Sequence, residues 1–113
     1  MNDWRDDIER EMRRAETFRH PGQTRSAARR IAGIALRQVP EVCGRLSGQG
    51  DVLMLLRILS ELSGIPEPAR AAATRLHMRL DTDFSSPSKD PLADAKIIVD
   101  YVESLLSPGE HDQ

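Results

Sequence analysis

After its leading aspartate, the stretch Asp51 to Ser63 (DVLMLLRILSELS) is polar only at Arg57, Ser60, Glu61 and Ser63. A helix apolar on so many sides meets neighbours on most of them. In a chain of 113 residues it predicts the central post of an all-helical bundle. Gly64 stands where a left-handed residue closes a helix, and Ile65 follows as the hydrophobic residue that folds back on the last turns.

Four more segments carry the three- and four-residue spacing of helices with one apolar face. The first runs from about Asp3 to Arg19 and aligns Trp4, Ile8, Met12, Ala15 and Phe18 in a narrow stripe. His20-Pro21-Gly22 stops it, because proline lacks a donor and disfavours helix for its predecessor. The second begins near Thr24 or Ser26, whose hydroxyls can accept from first-turn amides. Its inner face is Ala27 or Ala28, Ile31, Ala35 and Val39, widened by Ile34 and Leu36. Pro40 interrupts a stripe that continues through Val42, Cys43 and Leu46. The helix therefore either kinks there or breaks, with a short new helix starting on the proline; the break is preferred.

Ser47-Gly48-Gln49-Gly50 reads as a turn, and Asp51 as the cap of the 51–63 helix. The fourth helix opens at Pro66-Glu67-Pro68 and shows Ala69, Ala72, Ala73, Leu76 and Leu80, a thin face that lets a neighbour approach closely. Asp81 to Lys89 lacks periodicity and reads as a surface loop. Asp90 caps a fifth helix that has Pro91 at its first position and Leu92, Ala95, Ile98 or Val99, Val102, Leu105 and Leu106 inside. Ser107-Pro108-Gly109 ends it. No stretch alternates with period two for long enough to predict a strand. The expectation is an all-α single domain over 1–107, a bundle of four to five helices around the 51–63 helix, with a flexible tail at 108–113.

Composition adjusts this picture in three places. Aromatic residues make up 4% of the chain, so aliphatic side chains and alanine must build the core. A chain of this length buries roughly 65% of its unfolded surface, enough for one core without staples. Cys43 is the single cysteine, which rules out an internal disulfide and predicts a buried small hydrophobe. The longest apolar run, Val52 to Leu56, falls far short of the about 20 residues of a membrane span. The charged amino terminus lacks the apolar run of a signal peptide. No membrane association is expected, and a cytoplasmic location is the default.

The search for chemistry returns little. The candidate bases are His20, His77 and His111; His77, four residues before Asp81, fits helix-end electrostatics better than catalysis. No Cys or His pair has ligand spacing, and Asp81-Thr82-Asp83 lacks the glycine and distal glutamate of a calcium loop. Gly44, Gly48 and Gly50 are followed by no phosphate-binding lysine. Ser85, Ser86 and Ser88 read as a solvated loop. No catalytic residue, cofactor or metal site is expected.

Charge is uneven. The net value is −2, yet residues 1–38 hold nine arginines against six acids, and residues 81–113 hold two lysines against eight acids. Between Arg10 and Arg37, eight arginines face only Glu11 and Glu16. Arg10, Arg13, Arg14, Arg29, Arg30 and Arg37 lie off the apolar stripes. Side by side, the first two helices would assemble them into a phosphate-binding patch; the alternative is pairing with acids elsewhere, the fifth helix included. The hairpin at 52–80, with Ser60 small at the packing position and Gly64-Ile65 at the turn, resembles a DNA-reading helix-turn-helix. Arg70 and Ser63 depart from that motif, where apolar residues are usual, while Arg70, Arg75 and Arg79 share one broad face.

Two functions remain. The leading one is a small non-enzymatic protein acting through protein–protein contacts, as a regulatory or adaptor module or a self-associating subunit. Its candidate surface is the stripe Trp4, Ile8, Met12 and Phe18, docked on its own bundle or in a partner's groove. The fifth helix can also meet a twin across a twofold axis. The rival function is nucleic-acid binding through the arginines.

Overall fold

The structure is a computed structural model that describes residues 3–44, 52–78 and 90–106. Among these residues the chain forms six helices and no strand: α1 (Trp4–Ala15), α2 (Pro21–Leu36), α3 (Pro40–Cys43), α4 (Val52–Glu61), α5 (Glu67–His77) and α6 (Pro91–Leu106). The Ser47–Gly50 turn, the Asp51 cap, the loop at 81–89 and the tail at 108–113 lie outside the described residues.

Local chemistry sets the boundaries. The Asp3 carboxylate accepts from the Arg5 amide at the head of α1, Asp6 and Asp7 fill its first turn, and Arg13 and Arg14 its last. Each charge opposes the partial charge of the helix end beside it. The apolar spacing predicted a helix to Arg19; α1 instead ends at Ala15. The Thr17 and Phe18 amides reach back only three residues, to Arg14 and Ala15, and the Thr17 hydroxyl donates to the Arg14 carbonyl at 2.7 Å. This tightening satisfies end carbonyls but cannot propagate an α-helix.

Pro21 starts the second helix rather than ending the first. It is the first residue of α2, three to five residues ahead of the predicted start at Thr24 or Ser26, with His20 extended before it. Proline costs nothing there, since the first-turn amide it lacks would have no partner anyway. At the other end the chain breaks rather than kinks: Val39 is extended (φ −112°, ψ 101°), and Pro40 opens the single turn α3. Gly64 adopts φ +82° between α4 and α5, the left-handed conformation expected of it. Asp90 caps α6 through its Oδ1, which accepts from the Ala93 amide at 3.2 Å.

The fold is the all-α bundle that the pattern predicts. From α4, Leu55, Leu56 and Leu59 are wholly buried, and they meet Ile31 and Leu36 of α2, Leu76 of α5 and Ile98 and Val102 of α6 in one core. A second hub is α2, which packs on α1, α4 and α6 and touches α5. Its small side chains explain this position. A Cβ added at Gly33 would lie 2.6 Å from Val52 Cγ2, so α4 rides directly on the α2 backbone. By contrast, one side of α4 leaves Leu53 and Met54 37% and 47% exposed.

Polar ties lock the helices together. Arg75 forks onto Asp94, whose side chain is only 8% exposed, with contacts of 2.7, 3.0 and 3.2 Å joining α5 to α6. Arg29 of α2 donates to the carbonyls of Leu76 (2.8 Å) and Met78 (3.1 Å), capping α5 from outside. Arg5 of α1 meets Glu103 of α6 at 3.0 Å.

Candidate interaction surface

One end of the bundle opens into a groove of about 550 Å³ between α3, the α4–α5 connection and the last turns of α6. Each wall follows from a local event. The break before Pro40 turns the chain aside and leaves Val39 and Pro40 as one flank. The left-handed Gly64 brings Ile65 round beside Leu62 on the floor. The third wall comes from Tyr101, Leu105 and Leu106 of α6. Leu105 and Leu106 are 42% and 43% exposed, although they are large hydrophobics.

The groove is electrostatically plain. Among its described lining residues Glu41 carries the one formal charge, and Gln38 and Ser63 are its other polar groups apart from the Tyr101 phenol. Burial pushes the Tyr101 phenol above the usual tyrosine value, and the Glu41 carboxylate adds to the shift. What such a surface offers is burial of apolar side chains.

The terminal stripe lies elsewhere. Ile8 is buried in the core, and Trp4 and Met12 pack half-buried against it. The Arg5 guanidinium covers the Trp4 ring at 4.6 Å. Three of the four stripe residues thus dock on their own bundle. Phe18 falls beyond the end of α1 and lines a shallow cleft of about 350 Å³ with Arg14, Gly22, Gln23, Ser26 and Arg30.

The six patch arginines are dispersed among different partners. Arg10 pairs with Asp7 at 3.1 Å and Arg13 with Glu9 at 3.2 Å, both within α1. Arg14 and Arg30 share Glu11 at 3.5 and 3.3 Å. Arg29 is spent on the end of α5, where burial, with Arg25 nearby, lowers its pKa below the usual arginine value. Arg37 is exposed at the far end of α2. None of these partners belongs to α6; among the described residues, Arg5 and Arg75 reach its acids.

Two arginines of the α4–α5 hairpin, Arg70 and Arg75, are held by the bundle itself. Arg70 bends back so that its Nη2 donates to the Leu62 carbonyl at 3.2 Å, closing α4 where a helix-turn-helix would bury an aliphatic. Arg75 is held by Asp94, a hydrogen bond that raises its pKa. Arg79 lies outside the described residues. His77 ends α5 half-buried, and His20 sits exposed before α2 without a side-chain capping bond. Among the described residues no group of three His, Cys, Asp or Glu side chains is placed to hold a metal ion, and no helix is long and apolar enough to cross a membrane.

Two features escaped the sequence reading. Leu105 and Leu106, which their spacing placed on the inner face of the fifth helix, instead stand 42% and 43% exposed at the end of α6. Asp94 lies four residues before Ile98, on the inner stripe of α6. A carboxylate there requires a cationic partner from another helix.

No family model matches the chain, and no curated protein or solved structure is significantly similar to it.

Proposed function

We propose that this chain is a non-enzymatic helical module that works through protein–protein contacts, receiving an apolar segment of a partner protein in the groove at the end of α6. The observation that carries this reading is the half-exposed pair Leu105 and Leu106 on a concave wall facing Leu62 and Ile65. The fitting partner is an amphipathic helix with leucine- or phenylalanine-sized anchors. Each anchor fully buried contributes about 1.5–3 kcal/mol. After the cost of association, two or three such anchors support binding of roughly micromolar strength.

A peptide-display selection against the purified protein tests the reading. Selected peptides should carry spaced apolar anchors. Leu105→Asp and Leu106→Asp should each weaken their binding about 10-fold or more, whereas Leu53→Asp, on the outer side of α4, should leave it unchanged. Peptides that bind the α6 variants as well as the wild type, or a selection that yields no binder, would refute the groove. Sedimentation of the protein alone identifies the other occupant: a dimer that Leu105→Asp dissolves would make a second copy the partner.

A further inference from the structure

The cleft between the end of α1 and the start of α2 is not used by the groove. Its chemistry differs from that of the groove in carrying two arginines and little apolar surface. Arg14 comes from the last turn of α1 and Arg30 from the middle of α2, so two helices aim guanidinium groups at one opening. Both lean on the same Glu11 carboxylate, Arg14 through Nη1 and Arg30 through Nε. Two positive charges thus share one negative charge, and each arginine keeps further N–H groups for a ligand.

The surroundings add to the excess. Arg10 and Arg13 are neutralised within α1, but Arg19 and Arg25 flank the cleft in sequence, and the first turn of α2 holds no acidic residue. Gln23 and Ser26 supply neutral hydrogen-bonding groups to the opening, and Phe18 supplies an aromatic side chain that is partly exposed. Forked donors suit phosphate oxygens, whose bidentate recognition arginine performs better than lysine. An accessible aromatic ring beside them suits an unstacked base.

We propose that this cleft binds single-stranded nucleic acid, with Arg14 and Arg30 on a backbone phosphate and Phe18 as the stacking surface for a base. A duplex fits less well, because its base faces are already stacked and unavailable to Phe18. The proposal is independent of the groove, which lies against other elements.

The test is fluorescence anisotropy with labelled oligouridine and oligothymidine of about ten nucleotides, repeated over a salt series. The wild type should bind at low salt, with log affinity falling about 0.7 per phosphate contact for each unit of log salt. Arg14→Ala with Arg30→Ala should make that slope shallower by about 0.7, the share of the one phosphate they hold together. The double lysine variant, which keeps both charges, should keep the slope and bind more weakly. Phe18→Ala should weaken binding about 5- to 100-fold. Circular dichroism of each variant verifies the fold. Failure of both oligonucleotides to bind at low salt would overturn the proposal. So would an unchanged slope in the folded arginine variant, or Phe18→Ala binding like the wild type. Binding of a phosphoserine peptide but of neither oligonucleotide would reassign the cleft to phosphoproteins and equally defeat it.

Discussion

Arg29, Arg70 and Arg75 carry charges that the sequence leaves free to point anywhere, and the fold turns all three inward. Arg29 closes the end of a helix 47 residues away, a separation no local spacing rule spans. Replacing it with alanine exposes two carbonyls to imperfect solvation and should cost about 1–3 kcal/mol in chemical denaturation. Lysine should recover only part of that, because a single ammonium cannot span both oxygens as the fork does. Asp94→Ala removes three contacts to Arg75 and should cost about 2–3 kcal/mol. These partnerships were not legible in advance: the arginine-rich segment was visible as charge, but which guanidinium finds a carboxylate and which finds a carbonyl depends on helix packing. Tyr101 offers a direct readout at this scale, since it is the single tyrosine. Its raised pKa means the folded state favours the neutral phenol. That contribution to stability is complete below the ordinary value of 10.0 and is lost as pH rises through the folded value. The ultraviolet titration midpoint should therefore lie above 10.0, and should rise further when an apolar peptide fills the groove.

At the scale of elements, most of the chain obeys its punctuation. Gly64, Pro40 and Asp90 each act where their backbone chemistry places them, and the apolar spacing locates every long helix. The errors fall at α1 and α2, where Pro21 starts the second helix instead of ending the first, and where an apolar residue, Phe18, continues the helical spacing after the helix itself has stopped. Periodicity records which side chains are apolar; it does not record where backbone hydrogen bonding ceases. The α2–α4 contact illustrates a constraint that periodicity omits altogether. Gly33 lowers the propensity of α2 by about 1 kcal/mol relative to alanine, yet alanine there would strike Val52 at 2.6 Å. Gly33→Ala should thus lower the melting temperature despite its better propensity, by a net cost of about 1–2 kcal/mol. Adding Val52→Ala should raise the stability of the Gly33→Ala protein, and a second mutation that only worsens it would show that the helices are not in that contact. Gly64→Ala, at φ +82°, should cost about 1 kcal/mol from backbone strain alone.

At the scale of the whole molecule, the six helices use most of their apolar side chains on one another and leave a residue of unspent surface at the end of α6. The bundle itself was legible, because a helix as apolar as α4 demands neighbours. The groove was not, because its walls come from α3, the Gly64 turn and the last turns of α6, which lie far apart in sequence. The stripe on α1 was open to two readings, docking on its own bundle or in a partner's groove. Its Trp4, Ile8 and Met12 finish the core, and exposed large apolar side chains remain at the end of α6 and on the outer side of α4.

The most direct test of this account is an amide shift map of the isotopically labelled protein titrated with a selected apolar peptide. The account predicts that perturbations cluster at Val39, Leu62, Ile65, Tyr101 and Leu105, with α1 and the outer side of α4 silent. Shifts centred on Trp4 and Met12, or on Leu53 and Met54, with the α6 end unmoved, would contradict it.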